Sequence, residues 1–127
     1  ERYATLDDVG VAVNPMLVRG QIHGGIAQGV GQALYEGAVY DGGQLLTSSL
    51  MDYKVARADD MPSFQVALFD GAPCKTNPLG AKGCGESGTV AGTPTLVNAV
   101  IDALSSRGVK DIDMPITPEK LWRACNP

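Results

Sequence analysis

Arg19-Gly20-Gln21-Ile22-His23-Gly24-Gly25-Ile26-Ala27-Gln28-Gly29-Val30-Gly31 is the stretch on which the fold turns. Ile22, Ile26, Val30, Ala33 and Leu34 recur at helical spacing, which predicts a helix over 18–36. Gly24, Gly25, Gly29 and Gly31 lie inside it. Each costs about 1 kcal/mol relative to Ala in a helix interior, ~4 kcal/mol in all. A helix that forgoes so much propensity makes sense if a partner surface packs directly on its backbone. Gly25 and Gly29, four residues apart, share one face for such a contact.

Working outward, Val9-Gly10-Val11-Ala12-Val13 closes a β-prone run read as a strand around 4–12, and Asn14-Pro15 reads as a turn. Val39-Tyr40 and Gln44-Leu45-Leu46 flank Asp41-Gly42-Gly43 as a hairpin with Asp-Gly at its turn. Residues 50–57 look extended or irregular. Phe64, Val66 and Leu68 alternate with Gln65 and Ala67, a half-buried strand. Residues 71–92 are rich in Gly, Pro and Asn and lack periodicity, so they are expected to be one long loop. Thr93-Pro94 then reads as a cap and first-turn proline for a helix carrying Leu96, Val97, Val100, Ile101 and Leu104, ended by Gly108. Thr117-Pro118-Glu119 repeats that start signal before a short terminal helix. The expected class is α+β, a small sheet with two or three helices packed on it, as one domain over 1–127.

Composition narrows the functions. At 127 residues with 44% apolar and 19% charged residues, the chain can build one modest core. A net charge of −4 argues against a nucleic-acid partner, which requires a basic face. No apolar run approaches the roughly 20 residues of a membrane span. Cys74, Cys84 and Cys125 are odd in number and widely spaced, against a disulfide scaffold and in favour of a reducing, cytoplasmic compartment. His23, the one histidine, cannot build a zinc site by itself, so no metal ligands are expected from this chain.

Two segments could carry chemistry. In Asn77-Pro78-Leu79-Gly80-Ala81-Lys82-Gly83-Cys84-Gly85-Glu86-Ser87-Gly88, glycines strip bulk from around Glu86. A carboxylate on thin backbone can approach a ligand closely, and partial desolvation would make it a useful base. The alternative is a flexible glycine loop with an ordinary solvated Glu. In the helix, Gln21 and Gln28 offer amides that can donate and accept hydrogen bonds; alternatively, they are exposed polar residues of a tightly packed helix. No convincing strand leads directly into the glycines here, which excludes a dinucleotide-binding fingerprint.

Together the segments resemble a known family. Asp8-Val9-Gly10, Asn14-Pro15, Gly20-Gln21, Gln28-Gly29-Val30-Gly31 and Asp52-Tyr53-Lys54 are followed by Asn77-Pro78, Lys82-Gly83-Cys84-Gly85-Glu86 and Thr117-Pro118-Glu119-Lys120. Their order and spacing, from about Asp7 to Cys125, resemble the C-terminal part of the molybdenum-cofactor-binding subunit of the xanthine dehydrogenase/aldehyde oxidase family. Arg57-Ala58-Asp59-Asp60-Met61-Pro62 and Glu86-Ser87-Gly88 look most like its bacterial, carbon monoxide dehydrogenase-like branch.

The resemblance implies that Glu86 is the catalytic base, taking the proton from the hydroxyl that attacks an electron-poor carbon of an aldehyde, purine or N-heterocycle. It also implies that Gln21 hydrogen-bonds the pterin of a molybdopterin cofactor, and that Cys84 and Gly85 lay backbone against it. Electrons are then expected to leave through [2Fe-2S] clusters to FAD on other domains or subunits. The remainder of the molybdenum subunit would supply the substrate pocket. Lys82 matches a family position without a fixed role: an ion pair or a cofactor contact. His23 is expected to be a packed or exposed helix residue, and Ser87 and Thr89 to cap the turn after Glu86. Cys84 stands where the family more often has a small aliphatic residue, and is read as a compact hydrophobe. The chain also lacks the proline often found two residues after Lys54. A competing reading is a non-catalytic fold or assembly module without cofactor. An open reading frame running in phase into Glu1 favours the enzyme; a start codon just before it favours the module.

Overall fold

Asn14 begins the central helix rather than turning the chain before it. The computed structural model describes residues 1–126, and in it α1 spans Pro15–Leu34 instead of the expected 18–36. The Asn14 side-chain oxygen accepts from the amides of Met16 at 3.1 Å and Leu17 at 3.2 Å. Pro15 fills the first turn, where no amide donor is required. A turn signal and a helix-start signal use the same two residues here; the apolar periodicity behind them decides which is realised.

β1 is Arg2–Asp8, shorter at its end than the expected 4–12. Further along, β2 (Tyr40–Asp41) and β3 (Gln44–Leu45) form the hairpin, with Gly42 and Gly43 taking the two turn positions at φ +53° and +84°. β4, Ser63–Phe69, alternates half-buried and exposed as its sequence predicts. It pairs in parallel with β1, from Arg2 opposite Ser63 to Asp8 opposite Phe69. Parallel strands need a long crossover, and α1 lies within it. Residues 9–11 leave β1 because they pair elsewhere: Val11 N–H donates to Gly80 C=O at 3.0 Å, and Lys82 N–H to Val9 C=O at 2.9 Å.

The core forms where α1 crosses this pair of strands. Ile22, Ile26 and Val30 are buried with Tyr3, and Phe64, Val66, Leu68 and Leu96 pack around them. Burying each of these isoleucines contributes about 2 kcal/mol. Tyr3 and Phe64 meet edge to face, ring centres 6.3 Å apart. His23, on the exposed side of α1, rests against Phe64 at 5.1 Å.

α2 runs Ser87–Leu104, which corrects two expectations. The loop is not 71–92, because residues 87–92 are helical, and Thr93-Pro94 lies inside the helix instead of starting it. A proline there leaves the carbonyl of Val90, four residues back, without its helical donor. Val90 is exposed, so water can serve that carbonyl. Packing against α1 holds the two turns that propensity alone would not. Beyond α2, a 3₁₀ turn over Ser105–Arg107 is closed by Gly108 at φ +77°. Ile116, buried, ties the last segment to α1 through its N–H to Ala33 C=O at 2.7 Å. α3, Pro118–Cys125, starts as expected, with Thr117 Oγ1 accepting from Lys120 N–H. The architecture is α+β, with α1 between the strand pair and α2. No helix among the described residues is long and apolar enough to cross a membrane.

Candidate active site

Gly25 and Gly29 of α1 have their partner surface, and it is a second pair of glycines. A Cβ on Gly25 would lie 2.9 Å from Thr89 N and 3.0 Å from Gly88 Cα. One turn on, a Cβ on Gly29 would lie 2.8 Å from Thr93 N and 3.1 Å from Gly92 Cα. The two helices therefore touch backbone to backbone at two points four residues apart.

Each contact carries a hydroxyl. Thr89 Oγ1 donates to Gly25 C=O at 3.0 Å and lies 3.4 Å from the Gln28 side-chain amide. Thr93 Oγ1 repeats this with Gly29 C=O at 3.3 Å and the Gln32 amide at 3.3 Å. The one hydroxyl proton of each threonine is shared between that carbonyl and the glutamine side-chain oxygen, Oε1 of Gln28 or Gln32. The expected capping role of Ser87 and Thr89 is thus replaced: Ser87 Oγ donates back to Cys84 C=O at 3.1 Å, and Thr89 bonds to the neighbouring helix.

This register sets where Glu86 stands. It is the N-cap of α2, two residues before Gly88, and Thr89 and Val90 donate their N–H groups to its C=O at 3.1 Å. Its side chain makes no capping bond and is exposed. The expected partial desolvation is not provided within this chain.

The loop leading to Glu86 is anchored at its other end. Gly80 C=O accepts from both Val11 and Cys74 N–H, at 3.0 and 2.9 Å. Gly10, at φ +59°, has the Gly80 carbonyl where a Cβ would be, so no other residue fits. Lys82 Nζ reaches Asp8 Oδ2 at 2.7 Å, the ion-pair alternative for that lysine. The Lys82 ammonium, helped by the Gly10 N–H, holds the Asp8 carboxyl below the usual carboxylate range. In the same loop Thr76 holds the Cys74 thiol below its ordinary value.

The end of β1, the start of α1 and this loop together enclose a cleft of about 290 Å³. Gln21 and Cys84 both line it, with Val9, Val11, Leu17 and Lys82. Gly85 and Glu86 follow directly in sequence but stand exposed, outside the lining. So the structure brings Gln21 and Cys84 to one cleft, and sets Glu86 at the adjoining helix start. Gln28 lies against the helix interface instead. A larger depression of about 480 Å³ is lined by residues 50–57 alone and contains none of these residues.

Gly83 and Gly85 bear on whether a cofactor fits. A Cβ on either would meet nothing within 4 Å, and neither has positive φ. Their lack of a side chain is not used within the chain, which fits backbone laid against a group from outside it. The donor set agrees: an amide at Gln21 and bare backbone at 83–85 can hold a pterin edge. Among the described residues no group of three or more His, Cys, Asp or Glu is placed to hold a metal ion directly.

Comparison with known proteins bears on the same residues. The family description "Molybdopterin cofactor-binding domain" matches residues 1–62, which include Gln21 but not Cys84, Gly85 or Glu86. Nicotine 6-hydroxylase large subunit of Paenarthrobacter nicotinovorans is 41% identical over 125 residues, 98% of this chain and 15% of that protein. Along nearly its whole length the chain is similar to members of the xanthine dehydrogenase/aldehyde oxidase family. In that family, the carbon monoxide dehydrogenase large chain of Hydrogenophaga pseudoflava is 39% identical over 97% of this chain and 15% of its own. The crystal structure of quinoline 2-oxidoreductase from Pseudomonas putida 86 superposes with a TM-score of 0.91 at 41% identity, over 96% of this chain and 16% of that one. This chain thus spans about one-sixth of the length of the family members it matches.

Sequence reasoning gave Thr89 and Thr93 only capping roles and missed their bonds to α1. Their signal was present: Gly88-Thr89 and Gly92-Thr93 repeat at the same four-residue interval as Gly25 and Gly29. It is readable only once residues 87–92 are known to be helical.

Proposed function

We propose that this chain is the C-terminal portion of the molybdopterin-binding domain of a molybdenum hydroxylase, to which it contributes the catalytic base and part of the cofactor cradle. The full enzyme oxidises an aldehyde, purine or N-heterocycle by inserting water-derived oxygen at an electron-poor carbon. Molybdopterin, when bound, supplies the two-electron acceptor for that oxidation. Gln21 hydrogen-bonds the pterin, and the backbone of Cys84 and Gly85 lies against it. Glu86 accepts a proton on a carboxylate oxygen as the water-derived nucleophile attacks the substrate. Desolvation of Glu86 comes from whatever covers the start of α2 in the full subunit. Iron–sulfur and FAD subunits or domains carry the electrons away.

The observation that carries this reading is the placement of Glu86. A side chain with no capping bond stands at the head of a helix locked by glycine contacts, directly after a cleft lined by Gln21 and Cys84. A purely structural module, the competing reading, gives no reason for a bare carboxylate and unused glycines there. The test is the intact complex, assayed by dye reduction against nicotine, quinoline, an aldehyde, a purine and carbon monoxide. Turnover of at least one of them, in proportion to molybdenum content, is expected. An intact complex that holds no molybdenum and turns over none of them would favour the module.

A further inference from the structure

We infer that Thr89 is a positioning residue that sets where Glu86 stands relative to Gln21; this rests on the reading of Glu86 as the base. Thr89 lies three residues after Glu86, in the first turn of α2, and its N–H donates to the Glu86 carbonyl. Its hydroxyl bonds Gly25 C=O at 3.0 Å, across the point where Gly25 and Gly88 touch. Gly25 is one turn from Gln21 on α1, so the residue proposed to hold the cofactor and the residue proposed to act beside it are referenced to each other through this bond. Without it, the first turn of α2 keeps its glycine contact but loses the directional link that fixes rotation about the helix axis.

The structure supplies its own control. Thr93 makes the same bond to Gly29, with the same glycine and glutamine neighbours, one turn farther from Glu86. A role limited to holding the helices together makes the two threonines equivalent. A positioning role does not.

The experiment uses the full-length subunit in its complex, with kcat expressed per molybdenum. Thr89→Val is expected to lower kcat about tenfold, while Thr93→Val stays within about twofold and both leave KM unchanged. Thr89→Ser, which keeps the hydroxyl, is expected to return kcat to within about twofold of the parent. On cofactor-free subunit, Thr89→Val is expected to speed hydrogen exchange at the Val90 amide about fivefold or more, and Thr93→Val to leave it unchanged. If Thr89→Val fails to accumulate, Thr89→Ala replaces it, with the same expectations. Equal effects of the two threonine substitutions on kcat and on Val90 exchange would overturn the inference. Glu86→Gln, run in parallel, separates the two claims. If it is inactive while the threonine variants are equivalent, the base stands and the positioning role falls. If it is fully active, the base reading falls and takes the Thr89 inference with it.

Discussion

Gly25 of α1 and Gly88 of α2 touch so closely that a Cβ on the first would lie 3.0 Å from the Cα of the second. Two helices brought to that distance have no room for a side chain between them, so their separation is set by backbone contact. Everything proposed for Glu86 depends on this contact, because the residue sits two positions before Gly88.

The first prediction concerns that contact. Gly25→Ala should destabilise the subunit by about 1–3 kcal/mol, because its methyl meets backbone that cannot swing aside. Gly24→Ala, next in the chain, meets nothing within 4 Å and should stabilise by about 0.5–1 kcal/mol through helix propensity. Thermal midpoints of the two variants should therefore move in opposite directions. Movement in the same direction would remove the close approach as the reason for Gly25.

How much of this could be read from the sequence follows from the same helix. Gly25 and Gly29 of α1 announced a surface packed on backbone, and the hydrophobic spacing placed Ile22, Ile26 and Val30 in the core. The partner was hidden because Gly88 and Gly92 look like loop, and Pro94 looks like a helix start. Those are local signals, and the packing of α2 on α1 overrides them. Asn14-Pro15 failed for a related reason, since turn and cap share one chemistry. Glu86 and Gln21 were candidates from their local sequence, but the roles proposed for them, and for Cys84 and Gly85, come from the resemblance; spacing alone left the bland readings open. The cleft shared by Gln21 and Cys84 joins residues more than sixty positions apart, which no local pattern encodes.

A second prediction is a pH dependence. Lys82 and the Gly10 N–H depress the Asp8 carboxyl in the folded state. A depressed folded value means stability that is fully present above the unfolded value, about 4, and lost as pH falls through the lower folded value. Asp8→Asn should therefore be less stable than the parent at neutral pH, and the gap should close below about pH 4. Denaturant midpoints at neutral and acid pH give the comparison; a gap that widens on acidification contradicts the ion pair's role in anchoring the loop.

Gln21→Ala tests the cradle. The side chain is exposed on α1, so its loss should leave folding intact while lowering molybdenum content per subunit several-fold. Metal analysis of purified complex reads this directly, and unchanged content counts against a cofactor bond from Gln21.

Gly85→Val separates packing within the chain from contact outside it. A Cβ there meets nothing in this chain, so thermal stability of the cofactor-free subunit should hold. Backbone lying against the cofactor predicts molybdenum content reduced about tenfold or more. Full loading of that variant would show that nothing approaches Gly85.

Turnover of the Glu86→Gln complex, measured at neutral pH and normalised to molybdenum, bears most directly on the central claim. Replacing the carboxylate with an amide of the same shape keeps the helix start and removes the proton acceptor. The account predicts parental molybdenum content with kcat reduced at least about a hundredfold. A fully loaded variant turning over within about threefold of the parent would contradict it.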